Sequence, residues 1–234
     1  MLNAGYWTAK NPDAGRILMA PAAIRAFNEQ IRQRLPGTVY DLTVYPEKLA
    51  KSDLVQLLGT YQFPDDQLYV AGVPAGTDYY NGLRQNMNLA AVQEQNQVRY
   101  AFTVTRTNVR TFPTAAGVFA SPGDRDFDQF QETALDPAEP VLILHQSADG
   151  NWYFIQAGNY RGWVAAAGVA IAADRDVWQR YINEPDFLVV TDGLFRLNRR
   201  AADNSAALLF QMGAKIPLAE VGNGRYIVKL PGRD

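Results

Sequence analysis

The apolar positions in the first part of the chain follow a helical period. Within APAAIRAFNEQIRQRL they fall three or four residues apart, at Ile24, Phe27, Ile31 and Leu35. This spacing predicts a helix with one apolar face, and a proline at its start suits the first turn. The pair Pro36-Gly37 ends that helix. Residues 1–18, which contain Asn11-Pro12-Asp13, are predicted to form an irregular arm.

A second helix is predicted from about residue 46 to residue 58, with leucines at helical spacing and Gly59 as its stop. Residues 61–97 are rich in Tyr, Gly, Asn and Gln and carry no clear period. Two short extended pieces are expected there, near residues 68–70 and 89–92.

From Val98 onwards the pattern changes to the alternation of β-strands. VRYAFTVTRTNVRTF is rich in β-branched and aromatic residues, and a long polar loop follows from about residue 113 to 132. Strands are predicted at residues 141–144, 152–156 and 160–164. Asp149-Gly150 predicts the first hairpin turn between them, and residues 157–159 predict the second.

A short helical connector is predicted at residues 173–183, and the β pattern then starts again. FTVTRTNVRTFPT matches LVVTDGLFRLNRR, FDQFQETALDPAEPVLIL matches ALLFQMGAKIPLAEV, and SADGNWYFIQ matches VGNGRYIVKL. Three matches in the same order indicate one unit written twice. Each unit has the length and strand content of a small SH3-like barrel, which would close its own edges.

The predicted fold class is therefore mainly β with a helical N-terminal segment, α+β overall, containing two tandem SH3-like barrels. The expected parts are a helical and irregular N-terminal domain (1–97), a first barrel (98–172), a helical connector (173–185) and a second barrel (186–234).

Composition and charge exclude several classes of function. Of 234 residues, 47% are hydrophobic and 20% charged, so the chain can form a core. The net charge of −2 lacks the basic excess of a nucleic-acid binder, and no nucleic-acid partner is expected. No stretch approaches the roughly 20 apolar residues of a transmembrane helix. The first residues lack the basic start and apolar run of a signal peptide.

Residue types also limit the possible chemistry. The chain has no cysteine and one histidine, His145, so thiol catalysis and thiolate metal sites are excluded. A catalytic histidine needs a nucleophile and an orienting group, and no motif supplies either, so His145 is interpreted as structural. Asp124, Asp126 and Asp128 alternate as in a calcium loop, but Gln129 and Leu135 stand where that loop needs Gly and Glu. No cofactor and no metal are therefore predicted.

The segments TNVRTFPT, FDQFQET, EPVLILHQSADGNWYFIQ and YRGWV resemble the bacterial SH3b modules that precede NlpC/P60 cysteine peptidases. The order of a helical segment and two SH3b modules, of the SH3b1 and SH3b2 types, is similar to the non-catalytic half of one branch of that family. The resemblance implies an extracytoplasmic protein, in the periplasm or cell envelope, that acts on peptidoglycan stem peptides.

That family's catalytic domain uses a Cys followed by a His and a polar residue. Without cysteine this chain is expected not to be an enzyme by itself. The resemblance implies a targeting or substrate-positioning region whose partner is a stem peptide or an NlpC/P60 catalytic domain. A peptidase domain either belongs to a longer form of this protein or is lacking from it altogether.

Candidate contact residues come from the long loop and from the aromatic cluster. In relatives the loop after the first strand forms part of the substrate wall, which implies roles for Phe127, Asp128 and Gln131. Tyr153 and Tyr160 belong to a cluster with Trp152, Phe154 and Trp163 that could stack on a ligand. The competing interpretation of this cluster is core on one strand face and a domain interface on the other.

Two other functions remain open at this point. One is a free-standing SH3-like module that binds peptides or proteins without a hydrolase, although the ALYDY stretch of eukaryotic SH3 domains is not evident. The other is an enzyme that uses paired carboxylates, although no pattern shows two carboxylates converging.

Overall fold

A computed structural model describes residues 4–197, 207–222 and 224–232 of the protein, and it shows a mainly β chain with helices at its N-terminal side. The helices are α1 (Ala4–Thr8), α2 (Pro21–Arg34), α3 (Lys51–Leu58), α4 (Thr77–Asn86) and α5 (Arg175–Ile182). The strands before residue 120 are β1 (Lys48–Ala50), β2 (Tyr69–Val70), β3 (Val73–Pro74), β4 (Gln95–Gln97), β5 (Arg99–Thr103), β6 (Thr107–Arg110) and β7 (Val118–Phe119).

The remaining strands form the second half of the chain. They are β8 (Gln131–Leu135), β9 (Pro140–Gln146), β10 (Trp152–Gln156), β11 (Arg161–Ala165), β12 (Val169–Ile171), β13 (Phe187–Val189), β14 (Leu194–Leu197), β15 (Leu208–Gln211), β16 (Lys215–Gly222) and β17 (Arg225–Val228). Among the described residues, no helix is both long and apolar enough to cross a bilayer.

Helix prediction succeeded where the apolar period was clear. The helix predicted after residue 20 is confirmed as α2, and the connector is confirmed as α5. The second helix starts later than predicted, because Lys48–Ala50 pairs with β4 before α3 begins. Helix α4 was not predicted, since it buries only Leu83 and leaves little apolar signal. The extended piece expected at residues 89–92 was wrong, because Leu89–Ala91 forms a turn of 3₁₀ helix.

The centre of the molecule is a seven-stranded antiparallel sheet in the order β12-β5-β9-β10-β11-β6-β8. The three predicted strands are present as β9, β10 and β11. Gly150, with φ of +72°, makes the predicted hairpin turn between β9 and β10. The expectation of a closed barrel is not confirmed, because no described ladder joins β12 to β8 and the sheet stays open.

Both faces of this sheet are buried, and strand alternation decides which residue lies on which face. One face carries a core that includes Val109, Val141, Ile143, Ile155 and Val164. The other face carries Phe154 and Trp163, which belong to a larger core shared with the N-terminal segment and α5. That shared core continues through Leu42, Leu49, Leu54, Leu58, Leu83 and Trp178. The N-terminal segment is thus packed against the sheet.

The C-terminal part is smaller and consists of two separate sheets. Strands β13, β16 and β17 form one sheet, and β14 and β15 form the other. They enclose a small core of Val190, Leu208, Phe210 and Ile216. A second closed barrel is therefore not confirmed. Part of the proposed repeat, with the basic pair Arg199-Arg200, lies outside the described residues.

Candidate functional site

The loop between β6 and β8, residues 111–130, is held in place by a buried arginine. Arg110 ends β6 and is almost fully buried. Its Nη1 lies 2.7 Å from Oδ2 of Asp128, and its Nη2 donates to the carbonyl of Ala116 at 2.7 Å. Both terminal nitrogens of the guanidinium are therefore paired, while Nε has no hydrogen-bond partner among the described residues. The two bonds hold residues 116 and 128 of the loop at one point.

Asp128 completes this anchor with its other carboxylate oxygen. Oδ1 accepts hydrogen bonds from the backbone amides of Val118 (3.1 Å) and Phe130 (3.0 Å). One carboxylate therefore joins the two arms of the loop to Arg110. Because these bonds lie within the loop, the loop is pre-organised rather than dependent on a ligand.

Aromatic packing fixes the same loop to the N-terminal segment. The ring of Phe112 stacks on that of Phe63 with centroids 4.2 Å apart and meets Phe130 edge-on at 4.8 Å. Tyr80 of α4 contacts Phe63 from another side. The loop is thus part of the shared core on one side and free to present its other side to solvent.

Two adjoining clefts, of about 400 and 690 Å³, open beside this loop. They share Ala115 of the loop, Trp152 at the start of β10, and Ala165 and Ala167 around the end of β11. We call this combined feature the Trp152 groove. Its walls are the loop residues 113–115, the hairpin turn 149–151 and the 3₁₀ turn Ala166–Gly168.

The groove has an aromatic floor and small side chains around it. Trp152 is half-buried, because it packs against the shared core while also lining both clefts. Alanines at positions 115, 165, 166 and 167 leave open space above the indole. An indole face between small residues is a good surface for an apolar or planar part of a peptide.

Charged groups of both signs stand at the two ends of the groove. Arg106, at one end, pairs with Asp136 at 2.9 Å and keeps part of its side chain exposed. Asp149, at the other end, accepts from the hydroxyl of Ser147 (2.6 Å) and the amide of Asn151 (2.9 Å). Burial opposes ionisation of Asp149, but these hydrogen bonds outweigh it and lower the pKa of the carboxyl. The groove can therefore meet a ligand that carries both an amine and a carboxylate.

The predicted contact residues of the loop occupy two different settings. Phe127 lies near the β8 end of the loop and is 75% exposed. Asp128 and Gln131 instead surround Arg110, and the side chain of Gln131 also donates to the carbonyl of Thr133. Contact of these three with a ligand or partner domain stays a prediction. The hydrogen bonds that Asp128 and Gln131 make in this structure all go to other residues of the chain.

The two predicted tyrosines lie apart from each other. Tyr153 lines the larger cleft beside Trp152, and Arg99 lies over its ring at 5.1 Å. Tyr160 lies in the β10–β11 hairpin, where its carbonyl accepts from the amide of Ala157 and the side chain of Gln156. Of the five predicted residues, the structure brings only Tyr153 to the groove, and a ligand role for either tyrosine stays a prediction.

The rest of the aromatic cluster is core or interface. Phe154 and Trp163 are buried, with their ring centroids 5.3 Å apart, under the N-terminal segment. Arg161, next to them, donates to the hydroxyl of Tyr40 at 2.9 Å and to Oε1 of the buried Gln156 at 2.8 Å. These contacts agree with the interpretation of core on one face and an interface on the other.

His145 and the aspartates of the loop have local partners. Nε2 of His145 lies 3.1 Å from the carbonyl of Asn88, and burial lowers the pKa of the imidazole despite that bond. Asp124 accepts from the amide of Asp126 within its own turn. Within the described ranges, no three side chains of His, Asp or Glu converge as metal ligands.

Sequence reasoning missed the groove because its walls come from three separate segments. Trp152 stood out as an aromatic residue, but residues 113–115 and 165–167 are small and carry no chemical motif. Their shared role follows from the sheet order, which places β10, β11 and β6 side by side.

Residues 117–165 match the family model of the SH3 domain of the SH3b1 type. This stretch contains most of the loop, the floor of the groove and strands β8 to β11. The chain therefore carries an SH3b1-type domain. A search of curated proteins finds no match to the chain.

The fold is similar to that of a solved structure described as a novel NlpC/P60 endopeptidase from Photobacterium damselae subsp. piscicida. The two chains share 18% sequence identity, and the similarity has a TM-score of 0.62. It covers 92% of this chain but 52% of the other, so this chain spans about half the length of that structure. The likeness is one of fold, and it extends well beyond the SH3b1-type domain.

Proposed function

We propose that this chain is the non-catalytic region of a bacterial peptidoglycan hydrolase of the NlpC/P60 type and that it positions a stem peptide for cleavage by an NlpC/P60 catalytic domain. The observation that carries this proposal is the Trp152 groove on an SH3b1-type domain. A pre-organised cleft with an indole floor and opposite charges at its ends suits a short peptide that carries amine and carboxylate groups.

The architecture supports the positioning role. The N-terminal segment buries one face of the sheet, so the loop and the groove are held by one shared core. We infer four parts: a stabilising segment (1–97), a first SH3b-like unit (98–172), a connector (173–185) and a second SH3b-like unit (186–234). A rigid frame of this kind fixes a bound peptide at a constant place, as a separate catalytic domain requires.

The chain's own residues supply no chemistry for hydrolysis in this proposal. The sequence has no cysteine, and its one histidine lies against the backbone of Asn88. The peptide bond is therefore cut by another domain or protein, located like this chain in the periplasm or cell envelope.

Filling the groove tests the proposal without disturbing the core. Ala115 is exposed and lines both clefts, whereas Ala120 is exposed in the same loop but lines neither. We expect Ala115→Gln to abolish binding to purified sacculi and to soluble stem peptides released from them, while Ala120→Gln binds as wild type. Binding is measured by pull-down for sacculi and by tryptophan fluorescence for the soluble peptides.

Two results would overturn the proposal. One is a wild-type chain that binds neither sacculi nor stem peptides and does not associate with an NlpC/P60 domain. The other is undiminished binding by Ala115→Gln, which would remove the groove from the argument.

A further inference from the structure

Helix α2 stands out because it is amphipathic and yet buries nothing. Each of its residues is exposed except Ile31 and Arg32, which are half-buried. Ile24 is 44% exposed, Phe27 50% and Leu35, just after the helix, 57%. A helix with a clear apolar stripe normally covers a core, so this stripe lacks a partner within the described part of the chain.

The geometry of the stripe is that of a surface-lying helix. At 100° per residue, its apolar side chains fall within an arc of about 120°. They are Ala23, Ile24, Phe27, Ile31 and Leu35. Arg34 falls inside this arc, between Ala23 and Phe27, whereas Arg25 and Arg32 lie about 60 to 80° beyond its Leu35 edge. Arg32 also pairs with Glu29 at 2.9 Å. Three further exposed apolar residues, Ile17, Leu18 and Met19, lead into the helix.

Charge distinguishes residues 4–35, which we call the N-terminal arm, from the rest of the chain. Residues 4–35 hold five basic and two acidic side chains, a net charge of +3, whereas the whole chain carries −2. Helix α2 also precedes the bond from the amide of Tyr40 to the carbonyl of Gly158 at 2.7 Å, which ties the following residues to the β10–β11 hairpin. A basic amphipathic segment joined to a net acidic body is complementary to an anionic surface.

We infer that residues 4–35 bind the surface of an anionic lipid bilayer, a function beyond the proposed handling of stem peptides. The apolar stripe enters the boundary between headgroups and acyl chains, and the long side chains of Arg25 and Arg34 extend to the phosphates. Phe27, at the centre of the stripe, makes the largest apolar contact. The body of the protein, including the Trp152 groove, stays in water.

Vesicle flotation with the full chain tests this inference. The probes are vesicles of equal parts phosphatidylglycerol and phosphatidylcholine, and vesicles of phosphatidylcholine alone. We expect the protein to float with the anionic vesicles at low salt, less at high salt and least with the neutral vesicles. The double change Ile24→Asn and Phe27→Asn should weaken binding to the anionic vesicles by about tenfold or more.

A second pair of changes separates charge from apolar contact. Arg25→Gln with Arg34→Gln should reduce binding to anionic vesicles to the level seen with neutral ones. Met212→Asn is the control, because Met212 is comparably exposed but lies outside the arm. Since α2 buries no side chain, circular dichroism and unfolding should show that every variant keeps a folded body.

The inference is overturned if the protein stays off anionic vesicles at low salt. It is equally overturned if the Ile24 and Phe27 variant floats like wild type. A third contrary result is a dimer of the wild-type chain that this variant disperses, because the stripe would then bind a second copy. Binding to sacculi is unaffected by any of these results, so the proposed function is tested separately.

Discussion

Gly162 shows how closely the strands beside the groove approach each other. A Cβ at this position would lie 2.7 Å from the carbonyl oxygen of Arg110 and 2.8 Å from Cγ1 of Val109. Both atoms belong to β6, which pairs with β11 at this point. The absence of a side chain therefore allows the sheet to continue from β11 to the strand that carries Arg110.

We expect Gly162→Ala to destabilise the protein by about 2 kcal/mol, because the new methyl group meets backbone that cannot move alone. Gly158→Ala is the matched control, since no atom lies within 4 Å of its added Cβ. Urea unfolding should show a lower midpoint for the first variant only. Equal midpoints would contradict the close packing of β11 against β6.

Asp128 is the residue on which the order of the loop depends. Asp128→Asn keeps an acceptor for the amides but leaves the buried guanidinium of Arg110 without a counter-charge. We expect a loss of about 2 to 3 kcal/mol in the free energy of unfolding. Asp126→Asn, an exposed change in the same loop, should be neutral. If the two variants unfold alike, the ion pair does not support the loop.

The buried His145 is expected to make the protein less stable as the pH falls. Burial lowers the pKa of the folded imidazole below the ordinary value of 6.5. The unfolded chain therefore binds a proton first as the pH falls, and stability that is present above about 6.5 is lost below it. His145→Gln should have a flatter profile between neutral pH and mild acid, as measured by urea unfolding. A wild-type slope in the variant would show that other groups dominate.

At the scale of elements, α5 ties the sheet to the N-terminal segment. Its Trp178 is fully buried in the shared core and donates from Nε1 to the carbonyl of Ala101 at 3.0 Å. Asp174 is the N-cap of this helix, and its carboxylate accepts from the amide of Val177 at 2.7 Å. A short helix depends strongly on such a cap, because few internal hydrogen bonds support it.

Removing the cap should loosen α5 measurably. We expect Asp174→Ala to cost about 1 kcal/mol of stability, whereas Asp176→Ala, in the first turn of the same helix, should cost less. Hydrogen exchange at the amides of α5 reports the local effect. Equal exchange in the two variants would show that the side chain of Asp174 does not cap the helix.

At the scale of the whole molecule, the N-terminal segment supplies one side of the core that it shares with the sheet. The sheet face with Phe154 and Trp163 is covered by residues 40–92 and α5, whereas α2 buries no residue against it. The segment therefore divides into a part that the sheet needs and an arm that it does not.

Truncation separates these two parts. A chain lacking residues 1–35 should keep the wild-type unfolding transition, because no described side chain lost with it is fully buried. A chain lacking residues 1–97 should bind a hydrophobic dye and unfold without a sharp transition, since the aromatic face is then exposed. Cooperative unfolding of the shorter chain would contradict the shared core.

The local sequence pattern determined those helices, strands and turns that have a clear apolar period or turn motif. The period of α2, the alternation of β9 to β11, the turn at Gly150 and the connector α5 were all predictable, because each depends on neighbours in sequence. The absence of cysteine likewise excluded thiol catalysis and thiolate metal sites, and the single histidine left only one imidazole in the chain.

Tertiary structure decided the rest. It showed an open sheet instead of a closed barrel, and it put Asp128 and Gln131 around Arg110. It also assembled the Trp152 groove from three distant segments and left the stripe of α2 uncovered. These outcomes depend on which strands are neighbours and on what covers each face. A sequence pattern specifies the period of an apolar face, but only packing specifies its partner.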